Sequence, residues 1–174
     1  MPASRLTITT RTASMSDRPA ITFIYNQGIE DRVATLDVDP KSEGEVATWL
    51  SIDQPTRYTV IVAESDSRIV GWASLRPYSH RCAYAGVAEL SIYVERAARG
   101  KGVGEQLLAA LEEHARLNAF HKIVLFALSS NEAGRRLYGK RGFREVGTFK
   151  EQGKLDGRFV DVQAFEKIIP PADS

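Results

Sequence analysis

The sequence ELSIYVERAARGKGVGEQLLAALEEHA, residues 89–115, decides the fold of this chain. It opens with the β-rich run Glu89–Val94, passes through the glycine-rich turn Arg99–Gly104 and ends in an amphipathic helix. One face of that helix carries Val103, Leu107, Leu108, Leu111 and Ala115. Glycines let the turn come close to a ligand, and the helix behind it presents unpaired N–H groups and the positive end of its dipole. The pattern indicates a phosphate site, although an ordinary tight turn before a helix would look the same.

Two other phosphate-binding motifs do not match this turn. It lacks the Lys-Ser/Thr pair that follows the glycines of a P-loop. Gln106 and Leu107 stand where the dinucleotide fingerprint needs its third glycine. The glycines therefore favour a phosphate ligand of another class.

The rest of the chain alternates between strand and helix patterns. The Ser42 and Glu45 pair is a capping box that opens a helix through Leu50. Ile123–Leu128 is apolar at every position, which predicts a strand covered on both sides. Further helices are predicted at Met15–Ile29 and Asn131–Lys140, and further strands at Leu6–Thr9, Val33–Val38, Tyr58–Ala63, Ile69–Leu75, Phe143–Phe149 and Arg158–Phe165.

This alternation predicts an α/β fold, a mixed central sheet with helices on both faces. The hairpin in the middle of the chain makes the sheet mixed rather than wholly parallel. We expect residues 1–169 to form one domain and Pro170–Ser174 to be a disordered tail.

Composition bounds the partners of the chain. A net charge of +1 on 174 residues, with basic and acidic residues interspersed, gives no electrostatic reason to expect nucleic acid or an anionic membrane. The apolar runs are too short to span a bilayer. Cys82 is the only cysteine, so no intrachain disulfide can form and a cytoplasmic setting is expected.

The three histidines do not indicate a metal site. His80, His114 and His121 lack ligand spacing with acidic neighbours. His114 lies near the apolar stripe of its helix, which favours a structural role. We expect no metal.

Three linked motifs resemble the GNAT acetyltransferases. Arg99-x-x-Gly102-x-Gly104 is similar to the family's pyrophosphate-binding motif, Arg/Gln-x-x-Gly-x-Gly/Ala, and the strand before it, Glu89–Val94, resembles the family's central strand. Asn131 and Tyr138, followed by the Gly-Phe pair at 142–143, resemble its later Asn-x6-Tyr helix. Their order and spacing agree across residues 69–168.

Within that family the chain is most similar to the phosphinothricin-type enzymes. The segments that carry this likeness are Tyr25-Asn26, Val33–Leu36, Ala88–Val94 and Gly157–Asp161. The resemblance implies a GNAT fold, acetyl-CoA as co-substrate and a homodimer. It also implies N-acetylation of a small-molecule amine, such as an amino acid or an analogue like phosphinothricin or methionine sulfoximine. A protein or peptide N-acetyltransferase, or a non-catalytic acyl-CoA-binding module, remains an alternative.

Amine attack on a thioester needs a base and an acid. A free alkyl amine with a pKa of about 10.4 is protonated at neutral pH, so a base must remove a proton. Glu89 matches the family's catalytic glutamate, and Tyr138 can donate to the departing thiolate. Many phosphinothricin-type members have His where Tyr138 stands. A surface carboxylate and a packing aromatic are the alternative interpretations of the two residues.

The resemblance also implies the contacts of acetyl-CoA. Pantetheine would pair with the backbone of the strand much as a neighbouring strand does. The amide of Asn131 would bind the same group, and it could cap its helix as well. The predicted cofactor-binding residues are Ser91, Ile92, Tyr93, Val94, Arg99, Gly100, Lys101, Gly102, Val103, Gly104 and Asn131.

The loop between the central hairpin and Glu89 is the candidate acceptor site. Its predicted substrate-binding residues are Arg76, Tyr78, Arg81 and Tyr84, and arginine can bind a carboxylate or phosphinate through two parallel bonds. Phosphinothricin-type enzymes usually have arginines where this chain has Ser79 and Ala85. Either Arg76 and Arg81 substitute for them, or the acceptor lacks the acidic group, or the loop is simply solvated.

Overall fold

The computed structural model describes residues 6–51 and 57–173. Within them, the helices are α1 Arg18–Asp31, α2 Glu43–Leu50, α3 Val103–Leu117 and α4 Glu132–Lys140. The strands are β1 Thr9–Thr12, β2 Thr59–Ser65, β3 Arg68–Pro77, β4 Val87–Val94, β5 Lys122–Leu128, β6 Arg144–Leu155 and β7 Arg158–Ile168. Over these residues, every helix is too short or too polar to cross a membrane.

The strands form one mixed sheet in the order β1-β2-β3-β4-β5-β7-β6. All neighbours are antiparallel except β4 and β5, which are parallel. That parallel pairing is short, because only Val87–Glu89 pairs with Lys122–Val124. Beyond Glu89 the two strands diverge, so residues 90–94 of β4 have no paired residue on β5.

Helices cover the sheet on both faces, which confirms the predicted α/β architecture. The apolar stripe of α3 is fully buried at Leu107, Leu108 and Leu111. Burial of such a side chain stabilises the fold by about 1.5–3 kcal/mol. On the opposite face, α1 and α2 pack with β2 and β3 through a second cluster that includes Ile21 and Trp72.

The connection between α1 and α2 differs from its prediction. The strand predicted at Val33–Val38 is wrong, because this segment is an irregular loop. Side chains of α1 hold it: the hydroxyl of Tyr25 donates to Asp37, and Asn26 bonds both the N–H and the carbonyl of Lys41. The β-rich composition of this segment favours a strand, but its hydrogen bonds to side chains of the preceding helix hold it in a loop instead.

Strand β5 is not covered on both sides as predicted. Ile123, Leu125 and Ala127 are buried on the α3 side, while Phe126 remains 39% exposed on the other. The reason is that α1 and α2 pack on β2 and β3, and their cluster does not extend to β5. One face of the β5, β7 and β6 half of the sheet is therefore open.

The bounds of the first strand and of the β6–β7 hairpin differ from those predicted, whereas the β2–β3 hairpin is present as predicted. Strand β1 is Thr9–Thr12 rather than Leu6–Thr9, because Thr9–Thr12 is the run that pairs with β2. The predicted β2–β3 hairpin is confirmed, and Asp66 and Ser67 form its turn with φ of 50° and 60°. Strands β6 and β7 run further than predicted and pair along their length, with irregularities before Gly147 and between Phe149 and Gly153.

Candidate active site

The divergence of β4 from β5 opens a gap in the middle of the sheet. The carbonyl of Tyr93 faces Gly71 of β3, and the N–H of Glu95 donates to Val70 of the same strand. Backbone groups of successive strand residues point to opposite sides, so those of Ile92 and Val94 face the gap. An exposed strand edge of this kind can receive an extended amide-containing ligand.

A cavity of about 440 Å³ lies at this gap, between α1, β4, α3 and α4. It brings together Tyr138 and the predicted cofactor residues apart from Ser91 and Lys101, which do not line it. The sequence did not indicate the contribution of α1. The lining residues are Ile24, Gly28, Val33, Ala34, Ile92, Tyr93, Val94, Ala98, Arg99, Gly100, Gly102, Val103, Gly104, Glu105, Asn131, Ala133, Gly134, Leu137, Tyr138 and Lys140.

The glycine-rich turn ends at an uncapped helix. Gly102 is the N-cap of α3 with φ of 92°, and no side chain caps the helix. The first intrahelical bond runs from the N–H of Gln106 to the carbonyl of Gly102 at 3.2 Å, so the N–H groups of Val103 and Gly104 have no carbonyl within the helix. These donors and the helix dipole make the turn suitable for a pyrophosphate.

Gly104 also allows α3 and α4 to approach each other. A Cβ atom at this position would lie 2.9 Å from Cδ2 of Leu137 on α4. That distance is shorter than normal contacts, so a side chain at Gly104 would displace Leu137. Since both residues line the cavity, the glycine sets its width as well as the approach to the turn.

Helix α4 supplies two polar groups to the cavity. Asn131 caps the helix, since its side-chain oxygen accepts from the N–H of Gly134 at 3.0 Å. Its amide N–H groups remain available to a ligand. Tyr138 is only 5% exposed, and its ring packs against Phe143 and Phe165. Burial raises the pKa of Tyr138, so the phenol stays protonated and can donate.

Glu89 lies where the gap begins. It is the last residue of β4 paired with β5, and it does not line the 440 Å³ cavity. It is half-buried, and its carboxylate makes no hydrogen bond or ion pair with the residues that the structure describes. Burial raises the pKa of Glu89. These properties suit a carboxylate that must accept a proton near neutral pH.

An aromatic cluster lies on the Glu89 face of the sheet. Tyr25, Trp49, Trp72 and Tyr93 contact one another, with ring centroids 4.8–6.0 Å apart. Burial, with a smaller effect of the Asp37 charge, raises the pKa of Tyr93 to about 12. The sequence did not reveal this cluster, because its members come from α1, α2, β3 and β4.

The predicted acceptor residues fall into two environments. Arg76 belongs to β3 and is partly buried, with its guanidinium 5.8 Å from the ring centroid of Trp49. It makes no ion pair with the described residues, and burial lowers its pKa. Arg81 is exposed, and only its backbone is bonded: its N–H donates to the hydroxyl of Ser79 at 3.2 Å, and its carbonyl accepts from the N–H of Tyr84 at 2.9 Å.

The two tyrosines of the loop contact each other. The rings of Tyr78 and Tyr84 meet edge to face, 5.6 Å apart, and both remain exposed. Their hydroxyls make no hydrogen bond with the described residues, so both remain available at the surface beside β3.

None of the three histidines lines the cavity. Nε2 of His114 lies 2.9 Å from the carbonyl oxygen of Arg57, a contact that is consistent with the predicted structural role. In residues 6–51 and 57–173, His, Cys, Asp and Glu side chains form no group of three that could hold a metal ion.

Comparisons with known proteins agree with this geometry. The profile of the acetyltransferase (GNAT) family matches residues 24–143. Phosphinothricin N-acetyltransferase of Streptomyces coelicolor is 33% identical over 88% of this chain and 91% of its own. The L-methionine sulfoximine/L-methionine sulfone acetyltransferase of Pseudomonas aeruginosa is 30% identical over 94% of this chain and 96% of its own.

A solved structure gives the same result. The phosphinothricin acetyltransferase of Sinorhizobium meliloti in complex with acetyl-CoA superposes with a TM-score of 0.89 at 30% identity, covering 94% of this chain and 89% of that one. The chain therefore belongs to the GNAT family of acetyl-CoA-dependent N-acetyltransferases, in its phosphinothricin-type group.

Proposed function

We propose that this chain acetylates the amino group of a small amino-acid-like molecule, such as phosphinothricin or methionine sulfoximine. The observation that carries the proposal is the gap between β4 and β5. Glu89 lies at its narrow end, Tyr138 lines it, and the uncapped start of α3 lies at its outer end.

The acetyl donor would be held by backbone groups. The amides of the turn and of the first residues of α3 would receive the pyrophosphate. Ile92 and Val94 would pair with the amides of pantetheine along the exposed edge of β4. Asn131 would donate its amide N–H to a pantetheine carbonyl while it continues to cap α4.

Glu89 would remove a proton from the acceptor ammonium, directly or through a water molecule. A carboxylate with an ordinary pKa of about 4.3 is a weak base toward an amine. Burial without a cationic partner raises the pKa of Glu89 and makes it a stronger base. Such a positioned base contributes about 10²–10⁴-fold to the rate.

Tyr138 would donate its hydroxyl proton to the departing sulfur. A free thiol has a pKa of about 8.5, so the thiolate leaves more readily when a donor stabilises its charge. The hydroxyl of Tyr138 makes no bond with the described residues, and burial keeps it protonated. It is therefore available to the leaving group throughout the neutral range.

Arg76 supports an acidic acceptor. Its guanidinium is partly buried and has no anionic partner among the described residues. A buried cation without a partner costs stability unless a ligand supplies the charge. A carboxylate or phosphinate on the acceptor would do so through two parallel hydrogen bonds.

The open half of the sheet supports a homodimer. Phe126 on β5 and Phe149 on β6 are exposed on this face, with ring centroids 6.4 Å apart. Contiguous apolar surface of this kind marks interaction sites more often than solvent-facing surface. The single Cys82, with no possible intrachain disulfide, fits a cytoplasmic protein.

The direct test measures release of free CoA thiol from acetyl-CoA with a panel of acceptors. The panel contains phosphinothricin, methionine sulfoximine, an alkyl polyamine without an acidic group and a short peptide with a free amino terminus. We expect the fastest release with the two amino-acid analogues. No release with any amine would overturn the proposal, and faster release with the peptide would favour a peptide N-acetyltransferase instead.

A further inference from the structure

The end of α1 is joined to the loop that precedes α3 by a set of charged bonds. Oδ2 of Asp31 accepts from Nη1 of Arg99 at 2.7 Å, and Oδ1 accepts from Nη2 of Arg96 at 2.7 Å. The side chain of Gln27, on the same helix, accepts from the backbone N–H of Arg96 at 2.9 Å. The loop is therefore held at both of its arginines by one carboxylate.

Arg99 is turned toward β4 and α1 in this arrangement. Its Nε donates to the carbonyl of Val94 at 3.3 Å, while Nη1 is bound to Asp31. Arg99 is the first residue of the glycine-rich turn, so both bonds fix the point where that turn begins. The flexible part, from Gly100 to Gly102, has positive φ at both glycines and depends on such fixed ends for a defined shape.

We propose that Asp31 is a positioning residue for the acetyl donor: it holds Arg96 and Arg99, and through them fixes the turn whose amides receive the pyrophosphate. This inference rests on the proposed function of the turn. We name the three residues Asp31, Arg96 and Arg99 the loop clamp.

A carboxylate between two guanidiniums does more than form two bonds. Arg96 and Arg99 are both cations, and without Asp31 they would repel each other across the start of the turn. The hydrogen bonds of Arg96, together with Arg99, hold the pKa of Asp31 below its usual range, so the carboxylate is charged at neutral pH. Preorganised binding groups lose less freedom when the ligand arrives.

In the alternative role, Arg99 binds the pyrophosphate directly, and Asp31 competes with the pyrophosphate for the guanidinium of Arg99. The two roles predict opposite changes when Asp31 loses its charge. Removal of a single negative charge at about the screening length, ~8 Å, would tighten anion binding by about twofold. Loss of the loop clamp would weaken it by about tenfold, as for other coupled contact pairs.

The experiment uses Asp31→Asn, Arg99→Gln and the double variant with two acetyl donors. Acetyl-CoA has the pyrophosphate, and S-acetylpantetheine lacks it. We expect each single variant to raise the KM of acetyl-CoA about tenfold with unchanged kcat, and the double variant to be no worse than either. In Asp31→Asn, whose substituted residue does not line the cavity, activity with S-acetylpantetheine should be unchanged. Glu30→Gln is the charge control, because it removes a neighbouring negative charge that bonds Arg96 and leaves the bond between Asp31 and Arg99 in place.

Three results would overturn the loop clamp. The first is an unchanged or lower KM of acetyl-CoA in Asp31→Asn. The second is an equal loss with S-acetylpantetheine, which would indicate a general structural defect. The third is an equal loss in Glu30→Gln, which would indicate a field effect. Calorimetric binding of CoA to the same variants gives the answer even if the acceptor assignment fails.

Discussion

Glu89 on β4 lies directly opposite Arg76 on β3, yet the two charged side chains form no ion pair. Each is partly buried, and burial shifts each toward its neutral form: the pKa of Glu89 is raised and that of Arg76 is lowered. An ion pair would have reversed both shifts. The separation keeps Glu89 basic and leaves Arg76 free to bind a substrate anion.

Replacing Glu89 with Gln should lower turnover by about 10²–10⁴-fold, because the variant loses the base and keeps the shape of the side chain. The rate should recover in part at high pH, where free amine is abundant. Steady-state kinetics between pH 6 and 9 provide the measurement. A wild-type rate across this range would exclude Glu89 as the base.

The wild-type pH profile follows from the same residue. Activity requires the ionised carboxylate, so kcat/KM should fall as the pH drops through the pKa of Glu89. Because burial raises that pKa, the fall should occur above the value of about 4.3 typical of glutamate. In Glu89→Gln this acid limb should disappear.

Tyr138→Phe should lower kcat by about 10²-fold with little change in acetyl-CoA binding. Phenylalanine retains the packing against Phe143 and Phe165 and removes only the hydroxyl. Steady-state measurement of kcat and calorimetric measurement of CoA binding separate an effect on turnover from an effect on cofactor affinity. If turnover is unchanged, Tyr138 only packs, and the proton for the sulfur comes from another source.

Gly104→Val should raise the KM of acetyl-CoA about tenfold. The new side chain would displace Leu137 and stand above the amides that receive the pyrophosphate, and overpacking costs about 1–3 kcal/mol. Gly139→Ala is the matched control, since a Cβ atom there meets nothing within 4 Å. The control should leave the KM unchanged. If Gly104→Val binds the cofactor with unaltered affinity, the turn does not bind the pyrophosphate.

The sequence predicted the parts of the fold that depend on local pattern. The capping box at Ser42, the apolar stripe of α3 and the Asn131 cap of α4 all concern neighbouring residues, and all are present. The segment Val33–Val38 was predicted wrongly, because its bonds to α1 override its β-rich composition. The exposed side of β5 could not be predicted, since it depends on where α1 and α2 pack.

In the candidate site, too, the features that depend on local sequence were predictable, and those that depend on tertiary contacts were not. Motif spacing pointed to the turn Arg99–Gly104, to Asn131 and to Tyr138, and all of these residues except Lys101 line one cavity. The contact of Asp31 with Arg99 joins residues 68 positions apart, and no periodic pattern connects them. The separation of Arg76 from Glu89 is a property of side-chain direction, which strand register alone does not determine.

The protein should be a homodimer at micromolar concentration, and light scattering should report twice the chain mass of 19.3 kDa. Phe149→Glu should yield monomers, because a charge on the exposed face of β6 would be buried without a partner. Arg116→Glu, on a partly exposed side chain of α3 that pairs with Glu113, is a charge-changing control that should remain dimeric. If light scattering reports the mass of a monomer for the wild-type protein, the homodimer proposal is wrong.

The last prediction concerns the acidic group of the acceptor and separates two arginines. Arg76→Ala should raise the KM for phosphinothricin and methionine sulfoximine by about 10–100-fold, because a charge-assisted bond to a partly buried guanidinium is worth about 1.5–3 kcal/mol. Arg81→Ala should have a smaller effect, because Arg81 is exposed and its guanidinium makes no hydrogen bond with the described residues.

Arg76→Lys tests whether the geometry of the guanidinium matters as well as its charge. Lysine keeps the cation and loses the two parallel donors, so it should restore only part of the affinity. A polyamine, which has no acidic group, should lose no affinity through any of the three substitutions, since it offers no anion to an arginine. If Arg76→Ala leaves the KM for both analogues unchanged, Arg76 does not hold the carboxylate. The acceptor would then lack an acidic group or bind it elsewhere, and the acetyl transfer itself would still stand on Glu89 and Tyr138.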